Sequence, residues 1–188
     1  LVSINGGEKD NVIAKVSEAA IAVNKEAVDK AKEIIEKTFN EVKEEYRTTD
    51  PDAKLQTNVI EEQFMDVMSG ATTLATIISL VNMPNGIQRM NNEIEGMVQT
   101  SLNLGILRTT ETNVALSYSV RSSVESEKQF LIEKLRSLTE IFGGTLEMSG
   151  EYPGWEYKAD SKIRDVAVKA YEELYKEEPV VEGIHAGL

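Results

Sequence analysis

The chain has 188 residues, enough for one globular domain or for one domain with part of a second. Hydrophobic residues make up 41% and charged residues 28%, so a packed core is expected, and the formal net charge of -12 argues against nucleic acid or an anionic membrane surface as a partner. The chain has no cysteine, which excludes disulfides and thiolate metal sites within it and fits a cytoplasmic protein.

The first half of the chain alternates predicted strands with predicted helices. Hydrophobic patterning predicts strands at 1–4, 16–23 and 54–60, with a helix from about 24 to 46 between the last two. One stripe of that helix should face the core: Val28, Ala31, Ile34 or Ile35, Phe39, Val42 and Tyr46. A second helix, at 70–83, is apolar nearly all round, so we expect it to be covered on several sides.

The second half contains the strongest strand signal. Two strands are predicted at 101–107 and 113–123, joined by a polar turn. A helix at 124–142 follows, for which Ser122 and Glu125 fit a capping box with Ser123 as a competing cap, and then a strand at 145–150. Asp160 or Ser161 should begin a last amphipathic helix, and the chain closes with a strand at 180–184. Both ends have the pattern of interior segments, so we expect an excerpt of a longer protein.

The strand at 113–123 alternates between apolar and polar side chains, as expected of a strand buried on one face only. Arg121 closes its polar face, and Asn103 is available from the neighbouring strand. A guanidinium fork and an amide held on rigid strands could bind a carboxylate and a carbonyl. The alternative is that Arg121 is simply a solvated charge at the end of a strand.

A strand–helix–strand pattern occurs twice in the sequence. Each copy follows an asparagine turn, and the copies close with the strands predicted at 54–60 and 145–150. This duplication predicts an α+β fold of ferredoxin-like kind, with an antiparallel sheet and helices packed on one face.

The sequence lacks the motifs of a complete enzyme. His185 is the sole histidine, which cannot anchor a pair of zinc ions, and no nucleophile elbow, phosphate-binding loop or dinucleotide fingerprint occurs. The paired glutamates at 44–45, 61–62 and 177–178 are more simply explained as solvated charge than as catalytic carboxylates. We therefore assign no catalytic or metal-binding residue.

Several phrases, in order from end to end, together resemble one family. They begin at Leu1 (LVSINGG), Asn11 (NVI), Met83 (MPNGI), Thr100 (TSLNLG), Val120 (VRSSV), Ser149 (SGEYPGW) and Ile184 (IHAGL). This set is similar to the aminoacyl-histidine dipeptidases, the carnosinase-like branch of the dinuclear-zinc metallopeptidases. Members of that branch have a catalytic domain that is split in sequence by an inserted lid, which mediates dimerisation.

The resemblance implies a division of the chain and a set of missing parts. Residues 1–150 would be most of the lid, incomplete at its N-terminal end, and residues 151–188 would be a helix and strand of the returning catalytic domain. The ligands of the two zinc ions and the glutamate general base would lie outside this chain. The resemblance therefore implies that the whole protein is a cytoplasmic homodimer that acts on short peptides, with no nucleic acid or membrane partner. This fragment would be inactive by itself.

The resemblance also implies roles for individual residues. Arg121 matches the lid arginine expected to bind the C-terminal carboxylate of the substrate, and Asn103 matches the lid asparagine expected near the scissile carbonyl. His185, Ala186 and Gly187 match a substrate-lining loop.

The turn at Asn11 departs from the family pattern. Asp10 and Ala14 replace the arginine and proline that usually flank Asn-Val-Ile, which weakens any role for this turn and leaves the preferred dipeptide open.

A second hypothesis comes from another class of protein. The chain could be a stand-alone α+β binding or dimerisation module with no catalytic parent. Both hypotheses predict self-association through an exposed sheet edge and apolar helix faces.

Overall fold

A computed structural model describes residues 1–61 and 66–186 of the chain. Its strands are β1 (Ser3–Gly6), β2 (Ser17–Ala20), β3 (Gly86–Met90), β4 (Val98–Thr109) and β5 (Val114–Ser122). Its helices are α1 (Val28–Glu45), preceded by a 3-10 turn at Lys25–Ala27, α2 (Gly70–Asn82), α3 (Glu125–Ile141) and α4 (Lys162–Tyr175). The strands form one antiparallel five-stranded sheet, so the predicted α+β class is confirmed.

Strand β4 is the centre of the sheet. On one edge it pairs with β5 from Thr100↔Ser122 to Thr109↔Val114. The other edge is shared, because β3 pairs near the beginning of β4 and β1 pairs at Leu107, with β2 on the far side of β1. Every other strand is therefore attached to the sheet through β4, directly or through β1.

Asparagine side chains fill the interval between β3 and β1 along this shared edge. Oδ1 of Asn85 accepts a hydrogen bond of 2.8 Å from the backbone N–H of Leu104. Nδ2 of Asn103 donates to the carbonyl oxygens of Asp10 and Val12, at 2.9 Å each. The two Asn103 bonds hold the loop that follows β1 across β4, and the Asn85 bond joins the segment before β3 to the same part of β4.

Gly105 is the position where this loop crosses β4 most closely. The register with β5 shifts between Leu104 and Ile106, which makes Gly105 a bulge. A Cβ atom at Gly105 would overlap the carbonyl oxygens of Lys9 and Asp10. Only glycine leaves room for the backbone of the loop at this point.

The core lies between β4 and α3. Leu102 of β4 packs against Leu131 and Leu135 of α3, and Tyr118 and Val120 of β5 join this cluster with Leu146. Burial raises the pKa of Tyr118 to about 12, because the phenolate would be poorly solvated there. Helix α3 thus covers one face of the β4–β5 hairpin, as the polar and apolar alternation of β5 predicts.

The segment after residue 150 is attached to the beginning of α3. Nζ of Lys128 donates to the carbonyl oxygen of Tyr152 at 2.6 Å and lies 2.8 Å from the Glu125 carboxylate. The same carboxylate accepts from the N–H of Gly154 at 3.2 Å. Hydrogen bonds from Gln129 and Lys128 and from the Gly154 N–H lower the pKa of Glu125 to about 2.

The predicted capping box between Ser122 and Glu125 does not form. Val124 occupies the N-cap position of α3, and the Ser122 hydroxyl accepts from the N–H of Val124 at 3.1 Å. Glu125 turns away from Ser122 because its carboxylate is engaged by Lys128 and Gly154.

Three predicted strands do not form. Residues 54–60, 145–150 and 180–184 are irregular, and the strand predicted at 16–23 shortens to β2. A strand needs a partner edge for its backbone, and residues 54–60 are almost entirely exposed. The duplicated pattern is therefore present in its first strands and helices, whereas the closing strand of each copy is not formed.

Three helices leave their apolar sides largely exposed. Helix α1 has no buried residue, although its stripe was predicted to face the core. Helix α2 was predicted to be covered on several sides, yet Val81 is 77% exposed, and Leu174 of α4 is 76% exposed. The amphipathic pattern identified the apolar face of each helix, but among residues 1–61 and 66–186 only α3 packs closely against the sheet. In the described ranges, no helix has both the length and the apolar character to cross a membrane.

Replacing Gly105 with alanine should destabilise the fold. The added methyl group would force the crossing loop off β4, which we expect to cost about 1–3 kcal/mol of unfolding free energy. Urea denaturation of the purified variant measures this. Gly70→Ala is the matched control, because a Cβ at Gly70 meets no atom within 4 Å and should be neutral or stabilising. Equal stability of the two variants would contradict the close crossing.

Replacing Glu125 with glutamine should produce a pH-dependent loss of stability. The folded-state pKa of about 2 lies below the ordinary 4.5, so ionised Glu125 stabilises the fold above about pH 4.5 and loses this effect as the pH falls toward 2. The difference in unfolding free energy between the native chain and Glu125→Gln should therefore shrink from pH 6 to pH 3. Glu133→Gln, on the same helix but paired only with Arg136, is the control. A difference that stays constant with pH would count against the Glu125 contacts.

Candidate functional site

One face of the β4–β5 hairpin carries the polar residues singled out in the sequence. Ser101 pairs directly with Arg121, and Asn103 pairs with Ser119, so these four side chains share a face. We call it the Arg121 face. It is opposite the side on which Leu102 packs against α3. The register is fixed from behind by a hydrogen bond of 2.8 Å between the hydroxyls of Thr100 and Ser122, where Thr100 is 1% exposed.

Arg121 differs from the other arginines in its surroundings. Each of the others has carboxylate or carbonyl partners: Arg47, Arg89, Arg108, Arg136 and Arg164. Within residues 1–61 and 66–186, no carboxylate lies within ion-pair distance of Arg121, and it is only partly exposed. A partly buried guanidinium without an anion retains its full capacity to bind one, in the two-pronged geometry that suits a carboxylate.

The structure brings His185 to the Arg121 face. Its Nε2 lies 2.8 Å from the hydroxyl oxygen of Ser101, although the two residues are 84 positions apart in the chain. The pKa of His185 is lowered, first because burial disfavours the charged ring and second because the Arg121 guanidinium repels it. The imidazole is therefore neutral at pH 7, with one nitrogen as donor and the other as acceptor.

The path of the chain into His185 is held by close packing. A Cβ at Gly183 would lie 2.7 Å from Sδ of Met97 and 3.1 Å from Cδ1 of Ile94. Gly183 therefore allows residues 183–185 to pass over the beginning of β4. Two sequence-predicted site residues, Arg121 and His185, are in this way brought together around Ser101.

Asn103 lies on the same face but is already engaged. Both of its amide protons are donated to the carbonyl oxygens of Asp10 and Val12. Its remaining group, Oδ1, is an acceptor and cannot bind a carbonyl oxygen. The predicted donation from Asn103 to a substrate carbonyl would therefore require the 10–12 loop to release one of these bonds. Ala186 is exposed, and Gly187 lies outside the described residues.

Sequence reasoning missed Ser101. The available signal was its place two residues before Asn103, which puts both side chains on one face of β4. Its contact with His185 had no local signal, because the contact depends on how a distant segment returns to the sheet.

The Arg121 face has the chemistry of an anion-binding surface. It offers a guanidinium, a neutral imidazole and serine hydroxyls, which suit a carboxylate and neighbouring polar groups. A metal does not fit the residues that the structure describes, since they contain no group of three histidine, aspartate or glutamate side chains able to hold an ion.

The chain is similar to known dipeptidases over its whole length. A scan against models of known protein families finds no match. The sequence is 32% identical over 190 residues to cytosol non-specific dipeptidase of Escherichia coli (strain K12), an alignment that covers 100% of this chain and 39% of that protein. The fold matches the crystal structure of aminoacylhistidine dipeptidase from Vibrio alginolyticus with a TM-score of 0.87 and 33% identity, covering 100% of this chain and 38% of that one.

The chain thus spans less than two fifths of the length of these relatives. The family resemblance inferred from dispersed sequence phrases is confirmed: in sequence and in fold, all of this chain is similar to a segment of an aminoacylhistidine dipeptidase.

Proposed function

We propose that this chain is the lid, with an adjoining piece of the catalytic domain, of a zinc-dependent dipeptidase that hydrolyses aminoacyl-histidine and related short peptides. The match of the entire chain to two dipeptidases, at 32% and 33% identity, is the observation that carries the proposal. The Arg121 face supports it independently, because a partly buried arginine that pairs with no carboxylate of the described residues suits a substrate with a free carboxylate.

Three residues at the Arg121 face have proposed tasks in binding the peptide. Arg121 binds the C-terminal carboxylate of the peptide, and His185 lies close enough to share that ligand. Asn103 binds near the scissile carbonyl of the peptide, either after the 10–12 loop releases one of its two hydrogen bonds or indirectly, through that loop. Binding the non-reacting end of the peptide in this way fixes the position of its scissile bond.

The proposed chemistry requires parts of the protein beyond these residues. Two zinc ions would supply activation of the attacking water in the whole protein. We propose that their ligands and the general base come from outside this chain, in line with the lack of a group of three possible ligands among residues 1–61 and 66–186. We accordingly propose residues 1–150 as lid and residues 151–188 as catalytic-domain segment. A cytoplasmic location is supported by the cytosolic relative and by the absence of cysteine.

Homodimerisation through the lid is part of the proposal. It is supported by the exposed apolar helix faces, including Phe130 of α3 at 70% exposure. The competing function, a stand-alone binding or dimerisation module, draws on the same faces. Zinc-dependent hydrolysis of β-alanyl-histidine distinguishes them: activity of the intact reading frame, with an inactive 188-residue chain, supports the lid, and inactivity of both supports the module.

Replacing Arg121 with alanine in the intact protein should lower kcat/KM for β-alanyl-histidine about 10- to 100-fold, mainly through KM. The reason is the loss of a charge-assisted hydrogen-bonded pair with the substrate carboxylate, worth about 1.5–3 kcal/mol. Steady-state kinetics measures this change. Arg136→Ala is the control, because that arginine pairs with Glu133 on its own helix.

A substrate without a carboxylate tests the same contact from the other side. The native protein should prefer β-alanyl-histidine to its C-terminal amide, which lacks the carboxylate, whereas Arg121→Ala should lose most of this preference. A variant that keeps the full preference would refute the assignment of Arg121.

The 188-residue chain should associate in solution. Light scattering coupled to size exclusion measures its mass, and we expect a dimer of the 20.8 kDa chain at micromolar concentration. A strictly monomeric mass over a hundredfold concentration range would argue against dimerisation through these faces.

A further inference from the structure

Ser101 occupies the centre of the Arg121 face. It is paired with Arg121 across β4 and β5, and its hydroxyl oxygen lies 2.8 Å from Nε2 of His185. It therefore contacts His185 and neighbours Arg121, the two residues proposed to bind the substrate carboxylate. Nothing in the fold otherwise requires a hydroxyl at this position, because the strand register is fixed by Thr100 and Ser122 on the opposite face.

The hydrogen bond admits two arrangements of protons. A serine hydroxyl can donate or accept, and a neutral imidazole carries its proton on either Nδ1 or Nε2. If Nε2 donates to Ser101, then Nδ1 presents a lone pair. If Ser101 donates to Nε2, then Nδ1 carries the proton and presents an N–H donor.

The charge of Arg121 favours the second arrangement when the site binds its ligand. The guanidinium selects an anion, and an anion beside the imidazole is repelled by a lone pair but bound by an N–H. Ser101 pairs with Arg121 across the two strands and contacts His185, so the two groups flank the same side chain and can contact one ligand. A hydroxyl at position 101 can donate the hydrogen bond that Nε2 accepts in the second arrangement, and an aliphatic side chain cannot.

We propose that Ser101 is a positioning residue: its hydroxyl donates to Nε2 of His185 and thereby leaves Nδ1–H as a second donor, beside the Arg121 guanidinium, for a substrate carboxylate. The identity of the ligand rests on the proposed dipeptidase function, whereas the hydrogen bond between Ser101 and His185 lies within this chain and does not depend on that function. Arg121 supplies the positive charge that attracts the carboxylate, and the oriented Nδ1–H of His185 adds a hydrogen bond of fixed direction.

The single histidine makes the proton arrangement directly measurable. In the 188-residue chain labelled with 15N-histidine, with acetate added in excess as the probe carboxylate, nitrogen NMR at neutral pH reports one imidazole. We expect a protonated Nδ1 and an unprotonated Nε2. Ser101→Ala should shift the population toward the Nε2–H form, and Ser101→Thr, which keeps the hydroxyl on the strand, should retain the native pattern.

Ser119→Ala is the matched control, since Ser119 lies on the same face opposite Asn103, and it should leave the imidazole signals unchanged. A native chain whose Nε2 stays protonated in the presence of acetate overturns the proposal without any variant. A Ser101→Ala chain that keeps both the amide spectrum of the folded protein and the native imidazole pattern also overturns it.

Kinetics of the intact protein tests the role in recognition separately. Ser101→Ala should raise KM for β-alanyl-histidine about 2- to 10-fold with a smaller change in kcat, and Ser101→Thr should restore it. An unchanged KM, despite an altered imidazole, overturns the role of Ser101 in binding. If the native intact protein does not hydrolyse dipeptides, the proposed function fails, while the NMR result still decides the proton arrangement.

Discussion

The crossing of the 7–14 loop over the bulge at Gly105 is the constraint on which the sheet depends. Strand β4 has β5 along one edge, so β1 and β3 must share the other, and the interval between them exposes backbone that needs partners. Asn85 accepts from the backbone N–H of Leu104 in this interval, Asn103 donates to the carbonyl oxygens of the crossing loop, and the missing Cβ at Gly105 allows the loop to approach. One strand can thus organise four others.

The same arrangement places the candidate site. Because β4 and β5 are packed against α3 on one face, their opposite face is free to carry Arg121, Ser101 and Asn103 at fixed spacings. The segment after residue 150 returns to this face at His185, after a first attachment at Lys128 of α3. The site therefore combines side chains from the hairpin with one from a segment more than 60 positions later. Its geometry depends on how that segment packs against the hairpin.

The helices that leave apolar sides exposed are consistent with the short coverage of the relatives. Helices α1, α2 and α4 have amphipathic patterns, yet their large apolar side chains remain open in this chain. Burial of such faces is a strong driving force, of order 25 cal/mol per Å². We therefore expect these faces to be covered, either by a second copy of the chain or by other parts of a longer protein. This expectation agrees with the match, which covers 38% of the solved dipeptidase.

The sequence by itself determined the β4–β5 hairpin, the four long helices, the α+β class and the family resemblance. These features depend on local periodicity or on short phrases, as in the alternation that placed Arg121 and Val120 on opposite faces. Only the tertiary structure decided which helix covers the sheet, that residues 54–60 find no partner strand, and that Ser101 meets His185. It also decided that Asn103 holds a loop, because contacts between residues about 90 positions apart leave no periodic trace in the sequence.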